Sequence, residues 1–178
     1  PSNAIPIPRN SSVIFFDSRD KVGASSSIAM ARAVWAGGPG TLNAFAHEMY
    51  ATAEWGTAYE SPVGTNTATL AQGYSGQGMF EYSALSVMAS QNSTTVQIDK
   101  DANGSYETSI TLNEGGATLV TGVSQGARVQ TTDAVKPIQV VLVTGDIGSS
   151  YESRDMNLLP VSAYGSSYWS PVGVNTGV

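Results

Sequence analysis

Asp99-Lys100-Asp101-Ala102-Asn103-Gly104 is the stretch with the clearest chemical pattern in this chain. Side-chain oxygens recur at alternate positions, and a glycine follows where a chain wrapped around an ion must bend. That is how a calcium loop opens, because Ca2+ is a hard cation that takes several oxygen ligands. Ser105 would add its carbonyl and Glu107 a direct or water-mediated carboxylate. The bidentate acid expected at the end of such a loop is missing, since Ile110 stands there. Binding is therefore expected to be modest unless Glu114 or another chain supplies a ligand. A second reading needs no ion: Asn103-Gly104 is a turn pair between two strands. Ca2+ is the one cofactor the sequence proposes.

Other reactive groups do not assemble into a set. His47 is the only histidine and there is no cysteine, so a conventional transition-metal site has no ligands. Its neighbour Glu48 would face the other side of a strand, which leaves His47 without an orienting carboxylate in sequence. Gly73-Tyr74-Ser75-Gly76-Gln77-Gly78 matches neither a nucleophile elbow nor a phosphate loop in spacing and reads as a loop. Asp17, Asp20, Glu48, Glu54, Asp133, Asp146, Glu152 and Asp155 are scattered, several in turn-like settings. Trp35, Trp55, Tyr74 and Trp169 could stack on sugars if exposed. No catalytic group is expected from this inventory.

The elements that must position these residues are strands. Charged residues make up only 12% of the 178, and Gly, Ser and Thr carry the polar character. Such composition suits sheet faces better than helix faces, which use Glu and Lys. A net charge of −6 without a basic run argues against nucleic acid. No apolar run is long enough to span a membrane. Pro1-Ser2-Asn3-Ala4 carries no signal pattern, and a start without Met is what removal of a secretion signal would leave.

Short strands separated by turns are expected over Phe80–Met88, Thr94–Ile98, Tyr106–Leu112, around Leu119 and Val129, and over Ile138–Val143. Together they predict an all-β, antiparallel sandwich-like domain. Val13–Phe16 reads as a further buried strand, and Ile5–Asn10 as an extended, proline-punctuated segment. Ser25–Trp35 and Leu42–Ala53 fit a β-hairpin. A helix is the alternative, because Leu42, Phe45, Met49 and Ala53 make a helical stripe.

One stretch occurs twice. Trp55-Gly56-Thr57-Ala58-Tyr59-Glu60-Ser61-Pro62-Val63-Gly64-Thr65-Asn66-Thr67 returns as Tyr164-Gly165-Ser166-Ser167-Tyr168-Trp169-Ser170-Pro171-Val172-Gly173-Val174-Asn175-Thr176. The glycine after the leading aromatic and the closing proline favour a strand that ends in a turn. Val13–Phe16 and Val140–Val143 extend the match, giving about one and a half repeats of roughly 110 residues. The chain divides into 1–67, with an extended segment and the first half-repeat, a Gly- and Gln-rich loop at 68–78, and the main β domain at 79–178. Two arrangements satisfy this: pseudo-symmetry inside one domain, or completion of an unpaired half by a neighbouring chain.

Ala89-Ser90-Gln91-Asn92-Ser93-Thr94-Thr95-Val96-Gln97-Ile98, Leu112-Asn113-Glu114-Gly115, Val135-Lys136-Pro137-Ile138-Gln139-Val140, Gly145-Asp146, Leu158-Leu159-Pro160-Val161-Ser162-Ala163-Tyr164-Gly165 and Tyr168-Trp169-Ser170-Pro171 occur in an order that resembles the N-terminal domain of IgGFc-binding protein and its bacterial and archaeal surface relatives. The resemblance covers about half the chain. It implies an extracellular β-rich binding or adhesion module, often repeated within large surface proteins. The cysteines of animal members are absent, so immunoglobulin binding does not carry over. The resulting expectation is a non-enzymatic extracellular structural or adhesion protein, self-associating into a surface filament or layer. Its contact elements would include Ile5, Pro6, Ile7, Pro8, Trp169, Val172 and Val174. A glycan or another surface protein is the further partner class. The alternatives are a carbohydrate-binding module, a glycoside hydrolase, or a viral coat or decoration protein.

Overall fold

The computed structural model describes residues 5–14, 21–34, 45–67, 80–145 and 154–169. Two antiparallel four-stranded sheets form the body. One runs β10(Arg154–Asn157)–β9(Ile138–Gly145)–β4(Tyr82–Ala89)–β7(Ala117–Thr121). The other runs β3(Ala58–Glu60)–β8(Arg128–Thr131)–β5(Thr94–Asp99)–β6(Thr108–Leu112). A separate two-stranded sheet pairs β1(Ala31–Val34) with β2(Phe45–Glu48).

Period-two patterning explains why these segments are strands and which face each buries. In β5, Thr94, Val96 and Ile98 are buried while Thr95 and Gln97 between them are half-exposed. In β4, Leu85, Val87 and Ala89 alternate with Ser86 and Met88 in the same way. These faces meet with Val129, Val140, Leu142 and Tyr59 in one apolar core drawn from both sheets. The chain passes between sheets at tight turns. At one, Gly115 has φ 70° and the Gly116 amide donates to the Asn113 carbonyl at 2.7 Å. The antiparallel sandwich expected from the sequence is therefore present, with each of its six expected main strands.

The segment leading into β3 joins the two sheets. Gly56 forms an antiparallel bridge with Ile138 of β9, and two residues later the chain pairs with β8. Tyr59 is 1% exposed; its hydroxyl accepts from the Gly56 amide at 2.9 Å and donates to the Ile138 carbonyl at 2.7 Å. Its backbone thus belongs to one sheet and its phenol reaches the other. Glycine is required at Gly64 for space: a Cβ there would lie 2.1 Å from the Gln125 nitrogen. Trp55 and Tyr59 do not share a strand as expected, because the bridge and bend at Gly56-Thr57 delay β3 until Ala58.

The hairpin expected over 25–53 is seen as β1 and β2, and no α-helix is present among its described residues. Val13 and Ile14 do not form the expected buried strand: they lie in coil, and Ile14 is 73% exposed. No strand among the described residues pairs with them, and an apolar run alone does not make a strand. The rest of Val13–Phe16 and the loop at 68–78 lie outside the described residues.

Burial pushes the Tyr59 hydroxyl above the ordinary tyrosine value of 10.0; the Gly56 amide opposes this and Tyr50 adds to it. The native state thus holds the phenol proton more tightly than the unfolded chain. Its contribution is complete below pH 10.0 and is lost as pH rises through the raised native value. Tyr59→Phe is expected to lower stability by about 1–3 kcal/mol at neutral pH, since a buried carbonyl loses its donor. It should also flatten the alkaline limb of a urea-melt series across pH. An unchanged alkaline limb would contradict this role for the hydroxyl.

Candidate functional site

The acidic loop lies between β5 and β6, spanning Lys100–Glu107. Asp99, the last residue of β5, is 1% exposed and caps the loop from below. Its two oxygens accept from the Asn103 amide at 3.1 Å and the Gly104 amide at 2.9 Å. Asp101 accepts from the Asn103 amide at 3.2 Å and from its side-chain nitrogen at 2.9 Å. The Ser105 amide donates to the Asn103 side-chain oxygen at 2.8 Å, and Glu107 receives the Lys100 amide on both oxygens at 3.1 Å. Ala102 (φ 62°) and Gly104 (φ 91°) carry the left-handed geometry. Turn geometry of the two-residue Asn-Gly type needs positive φ at both central residues, and Asn103 does not have it. The connection is a longer loop tied by carboxylates.

Asp99, Asp101 and Glu107 each bring one oxygen within 4.8 Å of the others, a group that could hold a metal ion. A carboxylate oxygen has two acceptor positions, so accepting an amide leaves capacity for a cation. Hydrogen bonds from its own amide, and then from those of Lys100 and Asp101, hold the exposed Glu107 carboxyl below the usual glutamate range. Asn103 and Ser105 sit in the same loop, with the Asn103 side chain engaged by Asp101 and Ser105.

A second polar cluster lies where β2 leans on β10. Arg32 pairs with Asp155 at 3.4 Å, and the Asn157 side-chain amide donates to the Glu48 carbonyl. Burial raises the Asp155 carboxyl, while the charges of Arg32 and His47 lower it. His47 thus has a carboxylate neighbour that the sequence did not reveal, supplied by a strand far along the chain. The depression beside it, lined by Ala29, Met30, Ala31, Ala46, His47 and Glu48, is open and largely apolar.

The contact residues expected from sequence fall into two groups. Ile5, Pro6, Ile7 and Pro8 are exposed and outside any strand, and Trp169 is 94% exposed. Val172 and Val174 lie outside the described residues.

The duplicated stretch is longer than its sequence identity shows. A 3₁₀ turn, η1(Thr52–Glu54), precedes Trp55, and another, η2(Val161–Ala163), precedes Tyr164. Glu54 donates to the Ala51 carbonyl at 2.8 Å, as Ala163 does to that of Pro160 at 2.8 Å. Met49 donates to the Met30 carbonyl at 2.8 Å, and Leu158 to that of Val140 at 2.9 Å. The Gly165 amide donates to the Tyr168 hydroxyl at 2.6 Å, repeating the bond between Gly56 and Tyr59. The hairpins β1–β2 and β9–β10 are therefore counterparts, which corrects the expected match of Val13–Phe16 with Val140–Val143.

Surroundings separate the two copies. Gly56 and Tyr59 bind β9, and Thr57 and Ser61 accept and donate main-chain bonds with Thr131 and Ala127. Tyr168 is 70% exposed, and Tyr164–Trp169 joins no sheet among the described residues. At the other end, Ala31, Arg32 and Ala33 are exposed, whereas Val140 and Leu142 of the counterpart strand are fully buried against β4. Sequence reading missed η1, η2 and β10; the apolar pairs Met49-Tyr50 and Leu158-Leu159 at matching positions were the available signal. Comparison with known proteins finds no matching family model, no matching curated protein and no matching solved structure.

Proposed function

We propose that this chain is a non-enzymatic structural or adhesion module of an extracellular surface filament or layer, in which copies of the domain associate with one another. The observation that carries this reading is one motif held twice in the same local conformation, once inside a core and once on the surface. A motif that folds locally yet leaves two large aromatics in water is suited to a partner with the same groove. The resemblance to surface modules repeated within large proteins supports the same reading. The strand-rich body offers an open depression and a loop cluster, while its most specific surface feature is an unpaired piece of sheet architecture.

Calcium in the Lys100–Glu107 loop fits this role. Three carboxylates closing one loop repel each other, and a divalent ion there would stiffen the end of the β5–β6 hairpin. The loop already closes by hydrogen bonds, so the ion would tune stability without being required for folding. Millimolar Ca2+ is expected to raise the melting temperature by a few degrees, roughly 1 kcal/mol or more at saturation. Asp101→Asn should remove the response. Melts and titration calorimetry that show no Ca2+ response would leave the loop as a hydrogen-bonded turn.

Immunogold labelling of intact source cells, with electron microscopy of the released material, tests the main reading. Label along ordered fibres or sheets outside the cell is expected. Label confined to the cell interior would contradict it, as would glycan-array binding by a stable monomer with no higher assembly. Binding of that kind would favour the carbohydrate-binding alternative, for which the adjacent exposed Tyr168 and Trp169 are the supporting feature.

A further inference from the structure

We infer that Tyr164–Trp169 is the leading β3-type strand of a second copy of this sandwich, placed in series after the first, so that each boundary shares one motif between two domains. This rests on the structural reading above and names the partner: a copy of the β8–β9 groove that lacks its own leading strand.

The first copy shows what the second copy's bound state would be. In the groove, Tyr59 donates to Ile138, Ile138 donates to the Gly56 carbonyl at 2.8 Å, and Thr131 donates to that of Thr57 at 2.9 Å. Tyr168 already makes the bond to Gly165 that shapes the motif, so docking needs little further ordering of the chain. Within this molecule the groove is filled by Tyr59, so Tyr168 must find its counterpart elsewhere.

The opposite end of the molecule gives the same answer independently. β1–β2 and η1 match β9–β10 and η2, the elements that close a domain. β9 lies between β10 and β4, whereas β1 has β2 on one side and no strand on the other among the described residues. One end thus presents the closing elements of a domain, and the other presents the opening element of the next. Junction packing is visible as well: Pro160, at the start of η2, fills the space beside Gly56, where an added Cβ would lie 2.2 Å from its own. The copies differ at one informative position. Glu60 pairs with Arg128 at 3.4 Å, and Trp169 stands in its place, where an arginine would be met by an aromatic face.

The test extends the full chain by appending residues 68–163 directly after Thr176, so that 164–176 stands where 55–67 stood. Tyrosine nitration mapped by mass spectrometry reads Tyr168 in the original and extended chains. The expected result is slowing of Tyr168 modification by about tenfold or more in the extended chain, approaching Tyr59, because a protected group reacts only through opening. A second cooperative unfolding transition should accompany it and be lost in Tyr168→Ala, while the first domain's transition stays. Equal Tyr168 reactivity in both chains would overturn the inference, as would an appended copy that fails to fold or that folds equally well with Tyr168→Ala. Protection of Tyr168 in concentrated original chain, with dimers by native mass spectrometry, would place the groove on a second chain and overturn the serial arrangement. None of these outcomes depends on cell-surface labelling, so the partner assignment and the surface role can fail separately.

Discussion

The sandwich depends on one buried phenol. Tyr59 takes its backbone from the sheet of β8 and gives its proton to a carbonyl of β9, while the Gly56 main chain bridges that same strand. A tyrosine can do this because its ring fills core volume and its hydroxyl satisfies two backbone groups that would otherwise be buried unpaired. Gly56 is the necessary companion, since the bridge brings the main chain close to Pro160 and leaves no room for a side chain. The two sheets are thereby held in register by a short crossing segment as well as by apolar contact.

That crossing segment is also the part of the fold that repeats. In both copies a 3₁₀ turn delivers an aromatic residue, then a glycine whose amide binds the tyrosine hydroxyl three residues on. The second copy keeps this shape while pairing with no sheet among the described residues. The Gly165–Tyr168 bond is local, while η2 ahead of it packs against the first copy through Pro160 and Gly56. Burial then separates the roles: one copy is core and the other is surface. Tyr168 and Trp169 stand side by side in water, the kind of apolar surface that marks an interaction site when it is part of a larger patch.

Much of this architecture could be read from the residues. Alternation such as Thr94-Thr95-Val96-Gln97-Ile98 identified the main strands, because one face of each is buried against the other sheet. The repeat announced itself through Gly56 and Gly165, which share one hydrogen bond to a tyrosine hydroxyl, and Gly56 is fixed by close approach as well. The run Val13-Ile14 misled because hydrophobicity is not pairing. β10 was not legible, since Arg154-Asp155-Met156-Asn157 has little strand propensity and is a strand because it pairs with β9. The acidic loop was half legible: spacing gave the oxygens, but only the fold shows that Asp99 is buried beneath the loop and spends both oxygens on its main chain. The neighbourhood of His47 and Asp155 joins distant segments and has no local signature.

Residue-resolved amide hydrogen exchange gives the most direct test of the central claim, that one motif shape is used twice in different surroundings. Gly56 and Gly165 donate the same local bond, but among the described residues only the first is also bridged to a strand of the other sheet. The account predicts that both amides exchange more slowly than unstructured glycine, with Gly56 slower than Gly165 by at least about a hundredfold. Equal exchange at the two glycines, or an unprotected Gly165, would contradict it.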